Sequence, residues 1–100
     1  MMLTGRHVEA AEAYRFGLVQ EVVPAAKLME RTLAWADEIC QCAPLSVRAT
    51  KEVAMQSLGR PLEEAIHMRA DGITRMLTSE DFIEGPKAFS EKRAPNWKGK

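Results

Sequence analysis

Residues 79–100 read SEDFIEGPKAFSEKRAPNWKGK, a stretch that combines a helix start, two phenylalanines one heptad apart and a basic end. Thr78 or Ser79 can cap the first turn. If Thr78 is the cap, Asp81 falls at the third helical position, where a carboxylate can reach back to the cap amide. The acidic start and basic finish suit the helix dipole. The stretch therefore predicts a final helix, which kinks or restarts at Pro86 because proline lacks an N–H group.

The predicted helix carries two aromatic side chains along its length and a cation at its end. Phe82 and Phe89, with Ala88, lie roughly along one face, and Lys92 projects from the end of the same stripe. A flat ring beside an ammonium group can stack on a purine and meet a phosphate. A structural interpretation stays open beside this one, because a phenylalanine stripe is usually core and a terminal Lys-Arg pair is usually solvated.

The composition is that of an ordinary globular chain without a strong electrostatic field. The 100 residues are 46% hydrophobic and 28% charged, and 14 basic and 14 acidic side chains give a formal net charge of zero. This balance argues against nucleic-acid binding. There is no apolar run of about 18 residues and no signal-peptide pattern at the N-terminus. We therefore expect a cytoplasmic protein with neither a nucleic acid nor a membrane as partner.

The residue types that perform chemistry form no recognisable constellation. Cys40 and Cys42 are two positions apart in a helical pattern, which directs them to different sides of the helix and predicts reduced thiols. His7 and His67 are each isolated, so no metal site is predicted. No catalytic residue is predicted either, because the carboxylates fall on outward faces or in first turns, where they suit solvent and helix dipoles. These carboxylates include Glu9, Glu12, Glu63, Glu64, Glu80, Asp81 and Glu84.

The first half of the chain predicts helices and one strand. Residues 10–16 are rich in helix formers, and Gly17 sits where a helix C′ glycine belongs. Residues 18–23 predict a short strand, which has no partner within this sequence, so its backbone groups must pair elsewhere. A helix that begins near Pro24 and ends at Ala43 carries a broad apolar stripe, which predicts burial against more than one neighbour.

The second half predicts further helices. Pro44 opens a helix that ends near Leu58. The next helix runs from Pro61 to about Leu77, and Gly72 within it either permits close approach of another helix or marks a bend. Together with the final helix, these elements predict a mainly α fold, an orthogonal bundle of four to five helices with one short strand.

Three blocks of the sequence match a known pattern in the right order. Residues 3–24, LTGRHVEAAEAYRFGLVQEVVP, are similar to LTGR-x-x-x-A-x-EA-x-x-x-GLV-x-x-VVP. Ala43-Pro44 with Lys51 follow, and residues 79–100 are similar to S-x-D-x-x-EG-x-x-AF-x-EKR-x-P-x-W-x-G. These are segments of the enoyl-CoA hydratase/isomerase family, or crotonase superfamily, which the chain resembles over essentially its whole length. Glu9 departs from the pattern, because the family often has a small capping residue there.

This resemblance implies a place for the chain within a larger protein. Family members are much longer, and their preceding part is a spiral domain that supplies the acyl-CoA cleft, an oxyanion hole of two backbone amides and the catalytic acids. Residues 1–100 would then be the C-terminal helical domain, which serves in oligomerisation and in capping coenzyme A, without the N-terminal catalytic domain. Such a chain is expected to be inactive by itself, because the enolate of a thioester needs preorganised donors.

The resemblance also implies a substrate and two binding residues. Phe89 and Lys92 match the Phe and Lys of the family's AF-x-x-K pattern, which help to bind the coenzyme A nucleotide. The parent protein would act on an acyl-CoA thioester, with hydration of a 2-enoyl-CoA as its reaction. It would work as a trimer or dimer of trimers, and it would need no cofactor because coenzyme A is part of the substrate. The alternative is a stand-alone, non-enzymatic oligomerisation module whose apolar faces pair with copies of itself.

Overall fold

The chain folds into helices joined by short connections. The computed structural model describes residues 3–100. In that range no helix has both the length and the apolar run that crossing a membrane requires. The predicted mainly α class is confirmed by the elements, which in chain order are α1 (Ala10–Arg15), a 3-10 turn (Ala25–Lys27), α2 (Leu28–Cys40), α3 (Pro44–Ser57), α4 (Leu62–His67), α5 (Asp71–Leu77) and α6 (Glu80–Ser90).

The described chain divides into two compact units, of which the first ends at Trp35 and the second is Ala36–Lys100. In the first unit, α1 ends as predicted. Gly17 adopts a φ of +79°, and the N–H of Leu18 donates to the carbonyl of Ala13 at 2.8 Å. This is the glycine-terminated helix end known as a Schellman motif. At the other end of α1, Glu9 makes no side-chain capping bond.

The strand predicted for residues 18–23 is wrong, because the structure assigns no strand anywhere in residues 3–100. A strand is defined by pairing with a second strand, and this segment has none beside it. A side chain anchors it instead. The carboxylate of Glu21 accepts hydrogen bonds from Nε of Arg31 at 2.8 Å and from the indole N–H of Trp35 at 2.9 Å. The segment is therefore held to α2 by side-chain hydrogen bonds, without forming a sheet.

The helix predicted from Pro61 to about Leu77 is in fact two helices, α4 and α5, which raises the number of α-helices in residues 3–100 to six. Between them, Met68 and Ala70 have extended backbone angles, with ψ values of 134° and 135°. A continuous heptad pattern could not show this break. The break allows α5 to begin at a new angle, and Ala70 is buried beside it, only 4% exposed.

Small residues form the contact between α3 and α5 in the second unit. Ala49 of α3 is 2% exposed, and Gly72 of α5 is buried against it. The backbone N–H of Gly72 donates to a carboxylate oxygen of Glu52 at 3.0 Å. The prediction that Gly72 permits close approach of another helix is therefore confirmed, and α3 is the helix that approaches.

The buried apolar side chains of the described chain are few, and all of them are alanines. The buried apolar residues are Ala13, Ala49, Ala70 and Ala88, and no large side chain of residues 3–100 is fully buried. The prediction that α2 is buried against more than one neighbour is wrong for this chain, because α2 buries none of its residues. Apolar side chains that remain exposed on α2 are Leu28, Met29, Leu33, Trp35 and Ile39.

Replacing Gly72 with alanine tests the contact between α3 and α5. The added methyl group would collide with the carboxylate of Glu52 and lie 3.1 Å from Cα of Ala49. Alanine gains about 1 kcal/mol of helix propensity, but overpacking against a backbone atom costs about 1–3 kcal/mol. We expect Gly72→Ala to lower the free energy of unfolding by about 1 kcal/mol, as measured by urea denaturation.

The matched control is the same substitution in a Glu52→Ala background. There the collision with the carboxylate is gone, while the backbone of Ala49 stays in place. Gly72→Ala should still destabilise this background, to a smaller extent. If it stabilised the protein in both backgrounds, the close approach of α3 and α5 would be contradicted.

Candidate functional site

The sequence offered two residues, Thr78 and Ser79, as the N-terminal cap of helix α6. Ser79 is the cap, because its hydroxyl oxygen accepts a hydrogen bond from the N–H of Phe82 at 3.2 Å. The hydroxyl of Thr78 instead donates to the carbonyl of Thr74 at 3.0 Å. Asp81 consequently falls at the second helical position and is free for another role.

Pro86 does not restart the helix, since α6 is continuous over Glu80–Ser90. The residue before a proline normally avoids helical angles because its Cβ clashes with the proline ring, and Gly85 has no Cβ. Gly85 also leaves room for Trp97, whose ring would lie 3.3 Å from a Cβ at that position. The Gly85-Pro86 pair therefore continues the helix and admits an indole ring beside it.

The last eight residues, 93–100, run back along α6, and we call them the tail. Asp81 holds the end of the tail, because its carboxylate accepts the N–H groups of Lys98 at 2.7 Å and Gly99 at 2.9 Å. The indole N–H of Trp97 donates to the carbonyl of Gln41 at 2.8 Å, just beyond the end of α2. Asp81 is only 4% exposed. Asp81 lies in the first turn, as predicted, but the prediction that it faces solvent is wrong, because the tail covers it.

Glu84 holds the beginning of the tail. Its two carboxylate oxygens accept hydrogen bonds from the two terminal nitrogens of Arg93, at 2.6 and 2.9 Å. One of these oxygens also accepts a hydrogen bond from the backbone N–H of Asn96 at 2.7 Å. The Arg93 guanidinium and the Asn96 amide lower the pKa of Glu84 from 4.5 to about 2. Nε of Arg93 donates to Glu91 at 2.6 Å. One arginine therefore joins a carboxylate in the middle of α6 to one just beyond its end.

Lys92 occupies a backbone conformation that usually belongs to glycine. Helix α6 is capped by Glu91, and Lys92 follows with a φ of +53°. The N–H of Lys92 donates to the carbonyl of Phe89 at 3.2 Å, and the N–H of Arg93 donates to Ala88 at 3.1 Å. These two bonds define a Schellman motif with Lys92 at C′. A residue with a side chain pays about 1 kcal/mol in this left-handed region.

The aromatic side chains of α6 remain in solvent. Phe89 is 87% exposed and Phe82 is 49% exposed, whereas Ala88 is 1% exposed. Ala88 therefore lies on the buried face, and the prediction that it shares the phenylalanine face is wrong. Successive helical residues are about 100° apart, so neighbours in sequence can face opposite surroundings. Phe89 and the exposed Lys92 together present a ring and a cation at the end of α6.

The two site residues lie apart from the groove between α6 and the tail. That groove has a volume of about 500 Å³. Its polar groups include Glu84 and Arg93, which are paired with each other. The groove is lined by Glu80, Asp81, Ile83, Glu84, Lys87, Arg93, Asn96 and Lys98.

The described residues contain no group of three or more His, Cys, Asp or Glu side chains that could hold a metal ion. Cys40 and Cys42 are both free thiols and exposed. Sequence reasoning missed the roles of Asp81 and Glu84, because their partners lie 9 to 18 residues further along the chain. The signal that was available is the basic and amide-rich end of the chain, which offers donors to acidic residues one helix earlier.

The pH dependence of the unfolding free energy at acid pH tests the contact between Glu84 and the tail. The folded carboxyl has a pKa of about 2 and the ordinary value is 4.5. Below pH 4.5 the unfolded chain therefore binds more protons than the folded chain, and stability falls as the pH falls toward 2. We expect Glu84→Gln to make the urea midpoint less sensitive to pH in this window. Between about pH 6 and pH 7 the Glu84 carboxyl is ionised in both the folded and the unfolded chain, so the substitution should leave the pH dependence there unchanged. If Glu84→Gln left the pH dependence below pH 4.5 unaltered, the contact would be contradicted.

Comparison with known proteins places these features in a family. The carnitinyl-CoA dehydratases of Proteus mirabilis (strain HI4320) and Escherichia coli (strain K12) are each 42% identical to this chain over 104 residues. Each match covers 100% of this chain and 40% of the relative, so the chain spans about two fifths of the length of these relatives.

Solved structures show the same fold. An enoyl-CoA hydratase/isomerase from Mycobacterium paratuberculosis superposes with a TM-score of 0.90 at 39% identity, over 97% of this chain and 38% of that one. An enoyl-CoA hydratase from Bacillus anthracis superposes with a TM-score of 0.91 at 35% identity, over 98% of this chain and 38% of that one. The sequence model of the enoyl-CoA hydratase/isomerase family matches residues 1–100. The chain therefore belongs to the enoyl-CoA hydratase/isomerase family.

Proposed function

We propose that this chain is the C-terminal, coenzyme A-capping domain of a cytoplasmic enzyme that acts on acyl-CoA thioesters, with hydration of a 2-enoyl-CoA as its reaction. Family membership supports an acyl-CoA substrate. The names of the relatives support the reaction type, because a dehydratase and a hydratase run the same addition of water in opposite directions. Coenzyme A enters as part of the substrate, and the proposal includes no separate cofactor.

The backbone of Lys92 is the observation that carries the proposed binding role. A lysine in a left-handed helix end costs stability that glycine would not cost, and such outliers are characteristic of functional positions. The neighbouring ring of Phe89 is 87% exposed, which is also unfavourable for a large apolar side chain. Both features are explained if the ring stacks on the adenine of coenzyme A and the ammonium pairs with one of its phosphates.

We assign binding, rather than bond-making, to the residues of this domain. Two of the acidic groups of α6 already have partners. Asp81 is bonded to backbone amides of the tail, and Glu84 is bonded to Arg93. A carboxylate with a pKa of about 2 is a poor proton acceptor at neutral pH. The proposal therefore gives neither carboxylate a proton transfer in the reaction.

Substituting Lys92 separates the stability cost of its left-handed backbone from its proposed role in binding coenzyme A. Lys92→Gly removes the strained side chain, so we expect the free energy of unfolding to rise by roughly 0.5–1 kcal/mol. The same substitution removes one charge from the phosphate contact, so we expect the affinity of the whole protein for coenzyme A to fall about tenfold. Urea denaturation and titration calorimetry measure the two effects.

The matched stability control is Lys87→Gly, because Lys87 lies within α6 and should lose about 1 kcal/mol when replaced by glycine. For the aromatic contact, Phe89→Ala should weaken coenzyme A binding, and Phe82→Ala should not. Unchanged affinity in both Lys92→Gly and Phe89→Ala would refute the nucleotide role.

We propose further that the whole protein is a homo-oligomer, a trimer or a dimer of trimers. The exposed apolar side chains support this assembly, because faces of this kind are stabilised when another surface covers them. They include Leu62 and Ile66 of α4, which are 76% and 68% exposed. A second surface is the apolar groove of about 420 Å³ between α3 and α5, whose lining includes Val53, Ile73 and Met76.

Light scattering on the whole protein tests this assembly. We expect a molar mass of three or six subunits, with no change when coenzyme A is added. The mass of a single subunit at micromolar concentration would contradict the proposed oligomer. The stand-alone module, the alternative function, makes a different prediction, because its mass would be oligomeric while titration with coenzyme A would release no heat.

A further inference from the structure

The direction in which Lys92 points depends on its backbone as well as on its side chain. At a φ of +53° its Cα–Cβ bond leaves the chain in a direction that a right-handed residue at the same place would not have. A residue with a Cβ returns to negative φ unless its surroundings hold it. The position of the ammonium group therefore depends on whatever restrains the backbone on each side of Lys92.

Arg93, the residue that directly follows Lys92, contributes to the restraint on each side of Lys92. On one side, the carboxylate of Glu91 accepts Nε of Arg93 at 2.6 Å. On the other side, the backbone N–H of Arg93 donates to the carbonyl of Ala88 at 3.1 Å. The side chain of Arg93 thus holds the residue before Lys92, and the main chain of Arg93, which directly follows Lys92, is held to α6. Its guanidinium also donates to the carbonyl of Ala94 at 3.1 Å.

Glu84 holds that arginine in place from the middle of α6. It accepts both terminal nitrogens of Arg93, at 2.6 and 2.9 Å, in the bidentate geometry that fixes a guanidinium most firmly. It also accepts the N–H of Asn96 at 2.7 Å. The chain after Lys92 is therefore attached to α6 at two points by one carboxylate, whose side chain is 19% exposed.

We propose that Glu84 is a positioning residue for coenzyme A, which acts through Arg93 to hold Lys92 in the left-handed conformation that aims its ammonium group at a nucleotide phosphate. This inference rests on the proposed role of Lys92 in binding that nucleotide. Glu84 touches no part of the ligand. It supplies the rigidity that a single flexible lysine on a helix end lacks, since an unrestrained side chain loses more rotamer entropy on binding.

A purely structural role for Glu84 has a different consequence. If the pair with Arg93 only stabilised the tail, its loss would weaken binding of every ligand equally, in proportion to the fraction of protein that unfolds. A positioning role is selective. It affects a ligand that carries the nucleotide and spares the same acyl group on a shorter carrier.

The test compares two thioesters, butyryl-CoA and S-butyryl-pantetheine, which share the acyl group and differ in the nucleotide. The dissociation constant of S-butyryl-pantetheine divided by that of butyryl-CoA, measured by calorimetry on the whole protein, reports the contribution of the nucleotide. We expect Glu84→Gln to reduce this ratio roughly three- to tenfold, because one charge-assisted contact loses its alignment. We also expect the backbone amide of Lys92 to exchange hydrogen faster than in the unsubstituted protein.

The control is Asp81→Asn, which loosens Lys98 and Gly99 without touching Arg93 and should leave the ratio within about twofold. If Lys92→Ala reduces the ratio and Glu84→Gln does not, the positioning role is overturned and the proposed function stands. If Glu84→Gln weakens both thioesters equally, the positioning role is overturned as well. If Lys92→Ala itself leaves the ratio unchanged, the nucleotide role of Lys92 is overturned, and the positioning role with it.

Discussion

The buried carboxylate of Asp81 is the contact on which the last helix and the tail depend. It lies under the tail and accepts two consecutive backbone amides, those of Lys98 and Gly99. A carboxylate that is removed from water must be compensated in this way, because an unpaired buried charge is strongly unfavourable. The tail therefore cannot leave without exposing Asp81, and without that carboxylate the amides of Lys98 and Gly99 would lose their acceptor.

Around that contact the second unit is built from small residues and polar bonds rather than from large apolar side chains. Ala49 and Gly72 let two helices approach closely, and Ala88 lies on the buried face of α6. The apolar side chains that would fill an ordinary core are instead exposed, on α2 and α4 above all. The described chain therefore combines many polar contacts with apolar side chains that remain exposed to solvent.

The sequence predicted the local features well, because they depend on a few neighbouring residues. Gly17 at a helix end, Ser79 as one of two caps and Gly72 at a close approach all follow from local chemistry. The break between α4 and α5 was hidden, because the apolar heptad pattern runs through it. The partners of Asp81 were hidden for another reason, since they lie 17 and 18 residues away. Phe89 and Lys92 were predicted from resemblance, and the left-handed backbone of Lys92 could not be foreseen from residue type.

The bonds that fasten the tail have an evolutionary consequence, because they join side chains to main-chain atoms. Asp81 accepts from the amides of Lys98 and Gly99, and Trp97 donates to the carbonyl of Gln41. Every residue at position 41 has a carbonyl, and every residue except proline at position 98 has an amide hydrogen. Selection can therefore hold Asp81 and Trp97 constant while their partners drift. In an alignment, the columns of Asp81 and Trp97 would be conserved, but no other column would vary together with them. Methods that infer contacts from correlated substitutions would therefore overlook these hydrogen bonds.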